Sequence, residues 1–412
     1  MTLAIRVLIG LIAGFALGVA LGRSGAPAAT TTLAVIAPVG TLFVNLIRMV
    51  VIPLVASMLV ASIGGMAFRG GFGRTVVRAA LVSIVLLVVT ATATVLVAPL
   101  VLANVPIDRG VAPAVAGASA ALTQPQSAPS IGQWLLDMVP ANIFQAAANG
   151  AMLPVILFAT VFGFAVARVP EDKRKAVVDV AEGVAAAMQT LVMWTLALAP
   201  IGVFALAVTL GSTLGLSAAG SLIAFVVLVS VLSVVAMAIF LYPLGIIVGR
   251  MSPSRFITYC APAQAIGFAA RSSLGALPAM IASAERAGLP PLSSRLILPV
   301  AIAIFHYGAA VGQTFSVLFL AHFYGVALTP AQLATIVFAV VVASITVPGI
   351  PGGSIVALVP VLTAINLPLE GAGILFAVDT IPDMFRTTAN VTGAMTLTAI
   401  LPAPEESEVV RT

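Results

Sequence analysis

Residues 379–393 read Asp379-Thr-Ile-Pro-Asp383-Met-Phe-Arg386-Thr387-Thr-Ala-Asn390-Val-Thr-Gly393. They sit inside an apolar segment of roughly 371–402. The spacing sets Asp379, Asp383, Arg386, Thr387 and Asn390 along one face of a helix. Three charges within an apolar segment are costly in hydrocarbon, so this face must meet protein or a water-filled cavity. A self-neutralised Asp383–Arg386 pair at i,i+3 is the purely structural explanation, and such pairs exist. Thr387 and Asn390 add uncharged hydrogen-bonding groups that an ion pair does not need. The face therefore reads as a pathway or binding site.

Composition supports the membrane setting. Of 412 residues, 61% are hydrophobic and 8% charged, where a soluble chain carries about 25% charged residues. Such a chain cannot cover its own surface with polar groups, and barrel strands would alternate polar with apolar. The fold class is an all-α integral membrane protein with the lipid bilayer as its surroundings. The formal charge of +5 is spread over short loops, so no nucleic-acid partner is expected. Cys260 is the single cysteine, which excludes an intrachain disulfide or a cysteine metal cluster. No metal site or cofactor is expected.

A first helix is read over Met1–Gly22, since its apolar run is longer than a signal peptide's and lacks a convincing cleavage site. Further apolar segments cover roughly 33–66, 76–104, 131–167, 178–213, 218–249 and 291–325, each long enough to span about 30 Å of hydrocarbon. Two others, around 256–289 and 330–367, are interrupted midway, at Arg271-Ser-Ser-Leu-Gly-Ala-Leu-Pro278 and Thr346-Val-Pro-Gly-Ile-Pro-Gly-Gly-Ser354. Proline and glycine there free backbone groups that lipid cannot satisfy, so both centres must face a protein-lined cavity. Paired broken segments point to a transporter's substrate site.

Basic residues cluster in alternate loops: Arg69, Arg74 and Arg78; Arg168, Lys173, Arg174 and Lys175; Arg250 and Arg255. The positive-inside rule then puts both termini in the cytoplasm of a multi-pass protein of the cell's inner membrane. The Ala/Pro/Ser-rich loop near 111–130 and the acidic tail Glu405–Glu408 read as solvated.

The polar set suits an acidic α-amino acid. Arginine grips a carboxylate with a rigid two-donor fork, Asp383 can take an ammonium, and Asn390 both donates and accepts. Ser272 and Ser273, with the freed amides of the broken centres, can hold a second carboxylate.

On these residues the chain resembles the dicarboxylate/amino acid:cation symporter family, the glutamate transporter homologues, over nearly its whole length. The matching stretches are Arg48-Met-Val-Val-Ile-Pro53, Leu153-Pro154, Ala199-Pro-Ile-Gly-Val-Phe204, Arg271-Ser-Ser273 through Leu277-Pro278, Gly349-Ile-Pro-Gly352 and the 379–393 motif. The resemblance implies eight transmembrane helices, two re-entrant helical hairpins and a homotrimer of elevator design. It divides the chain into scaffold helices 1–2 (1–70), transport-domain helix 3 (71–110), scaffold helices 4–5 (131–215) and transport-domain helix 6 (216–253). Hairpin 1 (254–290), helix 7 (291–328), hairpin 2 (329–369) and helix 8 (370–404) complete it. Residue by residue, the resemblance implies that Arg386 binds the substrate's side-chain carboxylate and Asp383 its amino group. Asn390 would contact its backbone end, with Thr387 alongside. Ser273 matches the tip of hairpin 1, and Gly349 and Ile350 match the tip of hairpin 2. An acidic residue at 383 favours glutamate or aspartate over C4-dicarboxylates.

The chain departs from the family where sodium-coupled members bind their ion. Phe305-His306-Tyr307-Gly308 replaces Asn-Met-Asp-Gly, Ala394 replaces an aspartate, and Leu86 and Leu87 fall at a Thr-Ser pair. These replacements offer a hard cation neither oxygens nor charge. Sodium coupling is therefore not expected. His306 and Asp379 are the candidate proton carriers, His306 because imidazole titrates near neutrality. A structural role for His306 is equally open, and Tyr307 reads as a gap-filler with one hydrogen bond. The expected function is proton-coupled, sodium-independent symport of glutamate or aspartate. The rivals are an uncoupled facilitator and a C4-dicarboxylate carrier. An enzyme is not expected, because His306, Ser273 and Asp383 show no catalytic spacing.

Overall fold

The computed structural model describes residues 3–24, 27–65, 73–103, 139–214, 217–346 and 353–401. Within these residues the protein is all helical. Helix α1 (Leu3–Ser24) is followed by α2 (Pro27–Gly65), α3 (Gly73–Leu102), the short α4 (Ile143–Ala148), α5 (Met152–Arg168), α6 (Glu171–Ala197) and α7 (Ala199–Leu214). Helix α8 (Ser217–Ala236) runs on into wider π-helical turns over Met237–Leu241 and Leu244–Val248. Then come α9 (Pro253–Ala270), α10 (Ser273–Arg286), α11 (Pro291–Ile304), α12 (Tyr307–Phe323), α13 (Pro330–Thr346), α14 (Gly353–Val356), α15 (Leu358–Ala364), α16 (Glu370–Val378) and α17 (Thr380–Ile400).

By length and composition, six helical stretches among the described residues can cross a membrane, at 5–24, 28–46, 77–102, 171–197, 219–248 and 297–323. Shorter apolar helices supplement them at 52–65, 154–168, 199–212, 330–345 and 353–364. The helices pack in two groups. In one, α1 lies against α7, and α2 lies against α5, α6 and α7. In the other, α3, α8, α9 and α11 surround α12 and α17, which touch each other. Helices α12 and α17 are almost wholly buried, which is where a helix carrying charges belongs.

Several expected single spans are broken. The 178–213 segment divides at Leu198, because Pro200 has no N–H to donate to the preceding turn. The 371–402 segment divides at Asp379, where Pro382 likewise frees the carbonyl four residues back. The 131–167 segment turns at Asn149–Gly150, with Gly150 at φ +69°. Helix 7, expected over 291–328, unwinds at Phe305 and His306, whose ψ angles of 75° and 70° lie outside the helical range.

The broken segment around 256–289 is a helical hairpin. Helices α9 and α10 pack on each other and turn at Arg271, which adopts the left-handed conformation (φ 51°, ψ 35°). Ser272 then caps α10, its hydroxyl accepting from the Gly275 amide at 3.1 Å. In the second broken segment α13 packs against α15. Its centre, including Gly349 and Ile350, lies outside the described residues, as do the 111–130 loop and the acidic tail.

Candidate substrate site

The break at Asp379 puts that residue at the N-cap position, just before α17, so its carboxylate can lie back over the helix. Both of its oxygens contact Nη2 of Arg386, at 2.5 and 2.6 Å. Asp383 stands farther from the same nitrogen, at 3.5 Å. The i,i+3 pair expected as the structural explanation is thus the weaker contact of the two. Asp383 instead looks across to the hairpin, where Arg271 Nη1 lies 3.9 Å from its Oδ2. The left-handed turn that starts α10 delivers this second guanidinium, a quarter exposed. Two carboxylates and two guanidiniums therefore face one another with no net charge.

Arg386 is 1% exposed, and its Nε and Nη1 have no hydrogen-bond partner among the described residues. Buried donors left unmade cost about 1–3 kcal/mol each, so the guanidinium carries unmet capacity for an acceptor. Sequence reasoning placed Arg386 and Asp383 correctly on one face but missed Arg271 as their charged neighbour. The signal lay in the sequence, since Arg271 opens the broken centre whose tip must face the cavity.

Asn390 also has a structural role, which the sequence did not suggest. Its Oδ1 accepts from the amides of Gly308 and Ala309, at 2.7 and 3.2 Å. It caps the N-terminus of α12, which begins abruptly after the unwound pair. The NH2 group is the part of Asn390 left for a ligand. Thr387 is buried, with its methyl facing α9 at Gly267. Ser273 is buried beside the hairpin tip, whereas the Ser272 hydroxyl serves its own helix cap.

His306 joins α12 to α13. Its Nδ1 lies 2.8 Å from the carbonyl oxygen of Ser344. Pro348, four places on in the sequence, has no N–H to offer that carbonyl. The imidazole is buried, and its Nε2 has no partner among the described residues. The next residue, Tyr307, donates its hydroxyl to Ala236 O at 3.0 Å, where α8 widens into the π-helical turns. Phe305 and Tyr307 close over Gly393, next to Ala394. The space beside the middle of α17 is thus filled by aromatic side chains.

A buried arginine beside two carboxylates, with a hairpin-tip arginine near one of them and a broken helix alongside, is an arrangement suited to a secondary transporter's substrate site. Comparison with known proteins agrees. The chain belongs to the sodium:dicarboxylate symporter family, whose model matches residues 3–403. It is 32% identical over 401 residues to the proton/sodium-glutamate symport protein of Bacillus subtilis (strain 168), covering 95% of this chain and 90% of that one. It is 28% identical over 407 residues to the proton/glutamate-aspartate symporter of Escherichia coli (strain K12), with the same coverage. A C4-dicarboxylate transport protein of Rhodopseudomonas palustris (strain BisB5) is 30% identical over 393 residues, covering 94% of this chain and 85% of that one. The protein is a multi-pass membrane transporter and not an enzyme.

Proposed function

We propose that the protein is a secondary active symporter of glutamate or aspartate that takes up protons and not sodium. The observation that carries this reading is Arg386, buried and with two donors unpartnered among the described residues, beside two carboxylates and a second arginine. In this reading Arg386 binds the substrate's distal carboxylate, Asp383 its ammonium, and the NH2 group of Asn390 its backbone end. Thr387, Ser273 and the hairpin 2 tip at Gly349 and Ile350 complete the enclosure. The names of the relatives, glutamate and glutamate-aspartate symporters, support the substrate class.

Charge balance supports the proton. The four charged side chains cancel, so an acidic amino acid adds one net negative charge to a site of low dielectric. A proton on His306 or Asp379 neutralises it. The aromatic filling around Gly393 supports sodium independence, since it leaves a hard cation no oxygen shell there. The two packing groups support an elevator division: α1, α2 and α5–α7 as scaffold, and α3 with α8–α17 as the moving body. A homotrimer in the inner membrane, with both termini cytoplasmic, completes the reading.

The test is uptake into liposomes under separately imposed sodium and pH gradients. Glutamate or aspartate should accumulate with an inward proton gradient and ignore sodium. Sodium-driven accumulation would overturn the coupling. Equilibration without accumulation under either gradient would make the protein a facilitator. The C4-dicarboxylate relatives favour one further reading, which uptake of succinate or malate in preference to glutamate would establish.

A further inference from the structure

We propose that Gly312 of α12 sets how Arg386 presents its guanidinium, and so fixes the affinity of the site for an acidic side chain. This rests on reading Arg386 as the carboxylate-binding residue. Gly308 and Gly312 lie one turn apart on α12, both facing α17 at Arg386. A Cβ at each would meet different atoms. At Gly308 it would strike the backbone carbonyl of Arg386, so this glycine lets the two helices approach. At Gly312 it would strike only the side chain: Cδ most closely, then Cγ at 3.2 Å and Nε at 3.3 Å. The arginine stem therefore lies in a notch that exists because residue 312 has no side chain.

The surroundings leave a methyl group nowhere else to go. Helix α12 is fastened at its start by the Asn390 cap, and one residue beyond the notch Gln313 donates to Ser354 O of α14 at 3.1 Å. These ties oppose rotation of α12, so a side chain at 312 displaces the flexible Arg386 stem in preference to the helices. Nε and Nη1 are the donors without partners among the described residues, and Nε flanks the notch. Displacing the stem moves the very donors that await an acceptor, and a carboxylate contact depends steeply on such placement. Gly312 acts only through Arg386. It is a positioning residue.

The test combines Gly312→Ala and Arg386→Ala, singly and together, in detergent-purified full-length protein. Glutamate binding is read by calorimetry and stability by thermal melting. Gly312→Ala should weaken glutamate binding about tenfold or more and lower Tm. In the Arg386→Ala background the notch is empty, so adding Gly312→Ala should leave Tm unchanged. Unaltered glutamate binding in Gly312→Ala overturns the proposal, as does an equal loss of Tm in both backgrounds. If Gly312→Ala alone does not fold, recovery of folded protein in the double variant supports the coupling, and failure to recover refutes it. Glutamate binding that survives Arg386→Ala intact would instead overturn the assignment of Arg386 itself.

Discussion

Asp379 holds Arg386 from the start of its own helix, with both oxygens 2.5–2.6 Å from Nη2, while Asp383, nearer in sequence, stands 3.5 Å off and faces Arg271. The two aspartates therefore differ in kind. Asp379 supplies the arginine's closest counter-charge. Asp383 makes longer contacts, to Arg386 and Arg271, and in the proposed reading it is the carboxylate that a substrate ammonium approaches.

Stability should separate the pair. Asp379→Asn leaves the buried guanidinium without its close partner, at a cost on the order of 3–5 kcal/mol. Asp383→Asn should cost clearly less, yet abolish binding of an α-amino acid. Thermal melting and glutamate titration of both variants check this, and the reverse order of Tm losses would contradict it.

Arg386→Ala should remove acidic substrates. Loss of a charge-assisted contact in a dry site costs about 3–5 kcal/mol. Arg386→Cys keeps Asp383 for the ammonium and is expected to accept neutral amino acids. Glutamate transport by either variant at the original rate refutes the assignment.

Asn390 has two jobs that substitution can part. Asn390→Ala uncaps α12 and should cost about 0.5–2 kcal/mol of stability. Asn390→Asp keeps the acceptor and puts a negative charge at a helix N-terminus, where it is favourable. That variant should stay folded while losing the donor a substrate needs. Equal stability of Asn390→Ala and the parent would show the cap to be dispensable.

Proton coupling has a sign. If substrate and proton bind together, each tightens the other, so glutamate binding weakens as pH rises through the titration of the carrier group. His306→Gln should flatten that profile without abolishing binding if His306 carries the proton. An unchanged profile assigns the proton to Asp379 or Asp383. His306→Leu has a separate expectation, because it orphans the Ser344 carbonyl and should cost about 1–3 kcal/mol whatever the pH.

The sequence by itself determined the solvent of this protein and the address of its site. A chain with 8% charged residues must be held in lipid, and the few charges it keeps inside an apolar helix must face one another or a ligand. The interruption that opens at Arg271 was legible too, whereas the breaks at Leu198 and Asp379 were not anticipated, although Pro200 and Pro382 supply their physical reason. Periodicity could say that Asp379, Asp383 and Arg386 share a face. It could not say which carboxylate the arginine takes, since that depends on the break that folds Asp379 back. The unwinding at Phe305 and His306 had no sequence signal, as neither residue there is a helix breaker. It is held by Asn390, 82 residues from Gly308, and by the Ser344 carbonyl, 38 residues from His306. Only the packing of α12, α13 and α17 brings those groups together. A helix can end in mid-membrane without proline or glycine when distant side chains and carbonyls satisfy the backbone groups it leaves.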